Sequence, residues 1–327
     1  MVKRSIFVYE GLKITSFCIL SMVIFIALGV DYQLLLILFN IAVMSTVATF
    51  SPNKMSLWFL LEGATVVTIS SLIGCIVSFY IPAISGVIII VYGSLAFFIP
   101  KYKDQSNIFV IGALVYSVST ISPLTFVQAS IIGLYSLILI IVLLVVYYFY
   151  DNHIIYNKHN YLERVYNSQR YTLGLISLSS LLLAFCIISY LKNYNISHLY
   201  WVNITILAIL QSSSEGTIRK TAFTRITMNA VGAFITIFVM SYIMPETEWI
   251  NMVFLLLLLF GIFSLGYSYA IRILLIEIFV LTITHLLGQY NHILSIDRLL
   301  LTLLGGSLVF ITGYFVIKLT KLKEELN

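Results

Sequence analysis

Two carboxylates and one imidazole sit inside long apolar runs of this sequence: Glu62, Glu277 and His285. A charge in hydrocarbon is costly, and a buried carboxyl has a raised pKa, so it can take up and release a proton near neutral pH. That chemistry suits proton coupling, with Glu277 the first candidate and Glu62 the second. For each, the alternative is a carboxyl that snorkels to the interface or stays neutral. His285 lies eight residues beyond Glu277, roughly two turns along and on a neighbouring face. It is a third candidate, and a histidine satisfied within the core is its preferred reading.

A second set of residues suits the recognition of a small organic anion: Gln211, Arg219, Arg225, Asn229, Arg272, Arg298 and Thr302. The first three belong to "QSSSEGTIRKTAFTR", Gln211 to Arg225, a polar and basic break between apolar runs. It reads as a cytoplasmic loop before a span that starts near Arg225, where the helix N-terminus adds partial positive charge. Two readings apply to it: charges that set topology, or a surface that gathers anions. Arg272 opens another span, as a cap or facing Glu277 or a substrate carboxylate.

Two of these arginines repeat a pattern. Arg225-x3-Asn229-x2-Gly232 has the same spacing as Arg298-x3-Thr302-x2-Gly305. Positions i, i+4 and i+7 share one helix face, and the small residue lets another backbone approach closely. A packing seam anchored by an interfacial arginine explains the pattern, and so does direct contact with an anionic substrate.

These residues are carried by a chain that is 61% hydrophobic and 9% charged, far less charged than the roughly 25% of soluble domains. Apolar runs of about 20 residues cross a bilayer as helices, so the expected fold is an all-α polytopic membrane protein. Twelve apolar segments are expected. Six lie near 14–30, 32–50, 56–80, 82–99, 107–124 and 126–149. Six more lie near 171–191, 199–211, 225–244, 249–268, 271–288 and 297–317. The first is read as a retained helix and not a cleaved leader, because no small-residue cleavage site follows it.

With the N-terminus in the cytoplasm, only Lys192 and Arg298 of the 18 Lys and Arg residues fall outside. That asymmetry follows the positive-inside rule and puts both termini in the cytoplasm. The expected organisation is a first six-helix half over 1–150, a cytoplasmic linker over 151–170, a second half over 171–318, and a cytoplasmic tail over 319–327. The arginine motifs open spans nine and twelve. Being three spans apart, they enter from opposite sides, which predicts an inverted 3+3 repeat in the second half, a plan common among secondary transporters.

No metal-ligand set, cofactor motif, phosphate loop or nucleophile–His–carboxylate cluster is present in the sequence. Cys18, Cys75 and Cys186 read as small core residues, and His153 and His159 as solvated linker residues. The net charge of +5 reflects loop cations and topology, not nucleic-acid binding.

The stretch "YWVNITILAILQSSSEGTIRKTAFTRITMNAVGAFI", Tyr200 to Ile235, resembles the signature of the fusaric acid resistance-like, or aromatic acid exporter, family. The later "YSYAIRILLIEIFVLT" and "SIDRLLLTLLGGSLVF" are similar to the distal segments of that family, so the resemblance covers about 171–317. Ser212 stands where the family usually has proline, and Met228-Asn229 replaces a common Gly-Thr. The resemblance implies a bacterial inner-membrane exporter of aromatic carboxylates driven by the proton gradient, with plant malate channels as relatives by fold. A passive organic-anion channel is the alternative, and a membrane-embedded enzyme a weaker one. The expected partners are a small organic anion and the lipid bilayer, with a homo-oligomer and a periplasmic adaptor left open.

Overall fold

The computed structural model describes residues 2–49, 57–100, 102–120, 123–150, 167–192, 198–214, 216–242, 248–265, 268–286 and 292–326. Among these residues there are twelve helices and no β-strand. The first six are α1 (Val2–Ala27), α2 (Tyr32–Ala48), α3 (Leu57–Tyr80), α4 (Pro82–Phe98), α5 (Lys103–Ser119) and α6 (Phe126–Tyr150). The second six are α7 (Asn167–Leu191), α8 (Tyr200–Gln211), α9 (Ile218–Tyr242), α10 (Glu248–Ser264), α11 (Tyr269–Leu286) and α12 (His292–Leu326). Each coincides with one expected apolar segment. Most of the linker, residues 151–166 with His153 and His159, lies outside the described residues.

Six stretches within these helices are long and apolar enough to cross a membrane: Phe7–Ala27, Trp58–Tyr80, Phe126–Tyr150, Gln169–Leu191, Ile218–Val239 and Ser295–Thr320. Five others are shorter apolar helices, down to Tyr200–Gln211. A helix of 12 residues is about 18 Å long, well short of a hydrocarbon core of about 30 Å. The chain is a multi-pass helical membrane protein.

The helix limits follow local chemistry. Pro82 begins α4, where its missing amide donor has no partner to lose. The Asp31 side chain caps α2 by accepting from the Leu34 amide at 3.0 Å. At the end of α1, Gly29 adopts φ +70 while the Val30 amide reaches back to the Phe25 carbonyl at 3.0 Å. Glycine meets no steric penalty in that left-handed turn.

The three largest departures from the expected limits, at the start of α1, the start of α9 and the end of α12, fall at polar residues. α1 begins at Val2 instead of near residue 14, taking Glu10 and Lys13 into the helix, where they pair at 2.9 Å. α9 begins at Ile218 instead of Arg225, so Arg219, Lys220 and Arg225 are helical. α12 begins at His292 and continues to Leu326, so the 319–326 part of the expected tail is helix. A hydropathy boundary marks where apolar residues stop, whereas a helix continues through polar residues that have good propensity.

The chain divides into two compact units. Unit 1 comprises Met1–Ala64, Ile132–His159 and Thr227–Leu299. Within it α1 packs on α10 and on α2, and α10 packs on α11. Gly11 of α1 lies against the Phe260 carbonyl and the Ser264 amide of α10, where a Cβ would come within 3.2 and 3.3 Å. Unit 2 comprises Thr65–Ile131, Asn160–Ile226 and Leu300–Asn327. There α4 packs on α7 and α5, and α8 packs on α5 and α7. Ser177 of α7 donates to the Gly93 carbonyl of α4 at 3.1 Å, and Ser180 pairs with Thr312 of α12 at 2.6 Å.

Candidate functional site

In unit 1 the two long-separated charges Glu277 and Arg298 meet. Arg298 Nε lies 2.8 Å from Glu277 Oε1, and the residues are 4% and 1% exposed. Arg298 is two turns into α12, with its guanidinium directed at the middle of α11. The approach depends on Gly232 of α9: a Cβ there would stand 2.8 Å from Glu277 Cβ and 3.3 Å from the Leu274 carbonyl oxygen. Glycine therefore sets how closely α9 and α11 approach, and the Glu277 side chain fills the space that this leaves. Asn229, one turn before Gly232, is buried as well.

Arg272 is half-buried in the first turn of α11, with its guanidinium 5.9 Å from the Tyr269 ring. Glu62 is half-buried in α3, beside Gly63, whose Cβ position lies 2.5 Å from the Thr49 methyl. His285 falls in the last turns of α11, and its side chain lies outside the described residues.

Unit 1 also holds a second buried pair, between Glu10 and Lys13, one of the cations expected on the cytoplasmic side. Lys13 is 1% exposed, bonds to Glu10 at 2.9 Å, and stands 4.4 Å from the centroid of the Tyr147 ring. The signal was present as opposite charges at i and i+3, which face each other on a helix.

Unit 2 carries the remaining candidates. The polar break resolves into a tight turn after Gln211, the last residue of α8, and then the first turns of α9. The Ser213 hydroxyl donates to the Ile209 carbonyl at 2.6 Å, and the Thr217 hydroxyl accepts from the Ser214 amide at 2.8 Å. Arg219 is exposed and rests over the rings of Phe310 and Tyr314, at 5.4 and 5.2 Å from their centroids. A cavity of about 420 Å³ lies there, with Lys318 on its rim.

Arg225, by contrast, is 8% exposed. Its Nε is buried without a hydrogen-bond partner among the described residues. Thr302 is buried on α12, one turn before Gly305. Gly305 faces α8, where a Cβ would stand 2.9 Å from both Thr205 Cβ and the Val202 carbonyl oxygen. Thr205, 2% exposed, was not among the sequence candidates, because an isolated threonine in an apolar helix carries no signal of its own.

The candidates thus separate into a buried ion pair in unit 1, a buried arginine in unit 2, and an exposed cation on aromatic rings in unit 2. Among the described residues no group of three or more His, Cys, Asp or Glu side chains is arranged to hold a metal ion.

Comparison with known proteins places one part of the chain. Residues 182–312 match the family described as fusaric acid resistance protein-like, within the 171–317 stretch that carries the resemblance. The match spans α8 to α11 with parts of α7 and α12, and includes Arg225, Glu277 and Arg298. No curated protein and no solved structure matches the chain.

Proposed function

From a chain whose residues 182–312 match the fusaric acid resistance protein-like family, we propose a secondary transporter that exports small organic anions, aromatic carboxylates foremost, driven by the proton gradient across a bacterial inner membrane. One observation carries the reading: Glu277 and Arg298 form an ion pair with both side chains at or below 5% exposure on apolar helices of a membrane protein. Moving two charges out of water costs several kcal/mol per ion, and hydrophobic replacements of similar volume are often as stable. Ionisable residues kept inside a membrane mark ion and substrate pathways.

The pair has the chemistry of a switch. A proton delivered to Glu277 cancels the carboxylate charge and releases the Arg298 guanidinium, which never loses its own proton. Pair made and pair broken are then two states chosen by one proton, the kind of element a coupled transporter requires. Gly232 keeps α9 close against the Glu277 side-chain stem, so a change at Glu277 is felt by two helices. The expected inverted repeat belongs to the same reading, since such repeats place their sites near the bilayer midplane.

Proteoliposomes loaded with radiolabelled benzoate test the proposal. Benzoate should leave against its own concentration gradient when a pH gradient is imposed, and should stop when the gradient is collapsed. A voltage-driven benzoate current indifferent to pH would instead identify a passive anion channel.

A further inference from the structure

The two glycine contacts share a register that extends to the arginines. In unit 1, Gly232 of α9 sits against α11 at the Leu274 carbonyl and, three residues on, at the Glu277 side chain. In unit 2, Gly305 of α12 sits against α8 at the Val202 carbonyl and, three residues on, at the Thr205 side chain. The arginine stands seven residues before the glycine on each long helix, Arg225 on α9 and Arg298 on α12. The unit boundaries fall at the same place in both helices, one residue after each arginine. Leu274, Glu277, Gly232 and Arg298 of unit 1 therefore correspond to Val202, Thr205, Gly305 and Arg225 of unit 2.

The correspondence fails at one chemical group. Where unit 1 has the Glu277 carboxylate 2.8 Å from the guanidinium, unit 2 has Thr205, with a neutral hydroxyl, at the corresponding position on α8. Arg225 is nonetheless 8% exposed, close to the burial of its counterpart. Taking a guanidinium out of water is costly unless it is paired, and Arg225 cannot relieve that cost by deprotonation. Its Nε has no hydrogen-bond partner among the described residues.

We propose that Arg225 binds the carboxylate of the transported anion, which takes in unit 2 the place that the Glu277 side chain holds in unit 1. The surroundings suit an aromatic acid. Trp201, 7% exposed, lies one turn before Thr205 on the same face of α8. Ile226, next to Arg225 in sequence, and Ile209 of α8 both pack against Gly306, so the neighbourhood is apolar. The Thr205 hydroxyl adds a donor for the second carboxylate oxygen. Unit 1 then holds its carboxylate covalently and titrates it, while unit 2 takes its carboxylate from the ligand.

This inference rests on the organic-anion reading, and calorimetric titration of benzoate into the full chain in uncharged-lipid nanodiscs separates the two. The native protein is expected to bind one benzoate. Arg225→Gln should weaken binding by about 10- to 100-fold, the loss typical of a hydrogen bond to a charged group. Thr205→Glu should weaken it similarly by installing a tethered carboxylate that occupies Arg225. Thr205→Gln, of the same size without charge, should lose clearly less affinity than Thr205→Glu, so that the difference between the two reads the tethered charge and not the added bulk. If Thr205→Glu fails to fold, Arg225→Gln decides alone, with size-exclusion elution as its check on folding. Binding that survives Arg225→Gln unchanged overturns this inference and leaves the transport reading standing. A native protein that binds no benzoate at millimolar concentration overturns both.

Discussion

Removing one partner of the Glu277–Arg298 pair should be far more costly than removing both. At 2.8 Å and an effective dielectric constant of about 20, the attraction between unit charges is about 6 kcal/mol. Desolvation of the two ions cancels much of this, so the pair is worth little net against an apolar replacement. Breaking it from one side still leaves a buried charge, at a cost of about 3–5 kcal/mol. Glu277→Gln leaves Arg298 charged at every accessible pH, so its penalty should be the same at pH 5.5 and 7.5. Arg298→Met leaves a carboxyl that can neutralise itself by taking up a proton. The folded variant then binds a proton that the unfolded chain does not, so its penalty should shrink as the pH falls. The double variant should recover about 2–4 kcal/mol relative to the sum of the single losses. The assay is unfolding in mixed micelles of increasing denaturing detergent, followed by tryptophan fluorescence at both pH values. Additivity within about 0.5 kcal/mol, or a pH-independent Arg298→Met, would refute the reasoning that the pair is buried and charged.

Gly232→Ala and Gly305→Ala set helix propensity, worth about 0.5–1 kcal/mol in favour of alanine, against overpacking of about 1–3 kcal/mol. Because the new Cβ would meet Glu277 Cβ at 2.8 Å or the Val202 carbonyl at 2.9 Å, overpacking should win, and both variants should unfold at lower detergent fraction than native. Glu10→Gln should destabilise by about 3 kcal/mol, because Lys13 is 1% exposed and loses the carboxylate 2.9 Å away; a thermal-aggregation assay that shows no change would place Lys13 in water. Arg219→Ala should cost about 1 kcal/mol or less, since this exposed guanidinium rests on two rings without burial. Transport lost in a stably folded Arg219→Ala protein would instead show that this cation contacts the anion.

Much of the fold is legible in the sequence because apolar length is a direct demand of the bilayer. Every expected apolar segment coincides with a helix, and Pro82 marks the start of α4 through backbone chemistry that requires no tertiary information. The starts of α1, α9 and α12 are not legible from hydropathy, since polar residues that read as loop are stabilised as helix by neighbours. Lys13 illustrates this: as a lone cation it belongs to a cytoplasmic stretch, but Glu10 one turn away and Tyr147 on α6 make its burial possible.

The candidate site divides in the same way. Glu277, Arg225 and Arg298 are visible as charges or motifs in apolar surroundings. That Arg298 pairs with Glu277 is invisible until α11 and α12 pack. Thr205 gains its meaning only by comparison with Glu277, since both stand opposite a glycine that follows an arginine by seven residues.

The central claim, that a proton on Glu277 is exchanged in each cycle of organic-anion export, is tested most directly by recording benzoate efflux and proton influx together in the same proteoliposomes. The account predicts that the two fluxes hold a fixed ratio in the native protein. In Glu277→Gln the proton flux should vanish, and benzoate release should no longer respond to an imposed pH gradient. Glu277→Gln vesicles that still take up protons in the native ratio to benzoate released would contradict it.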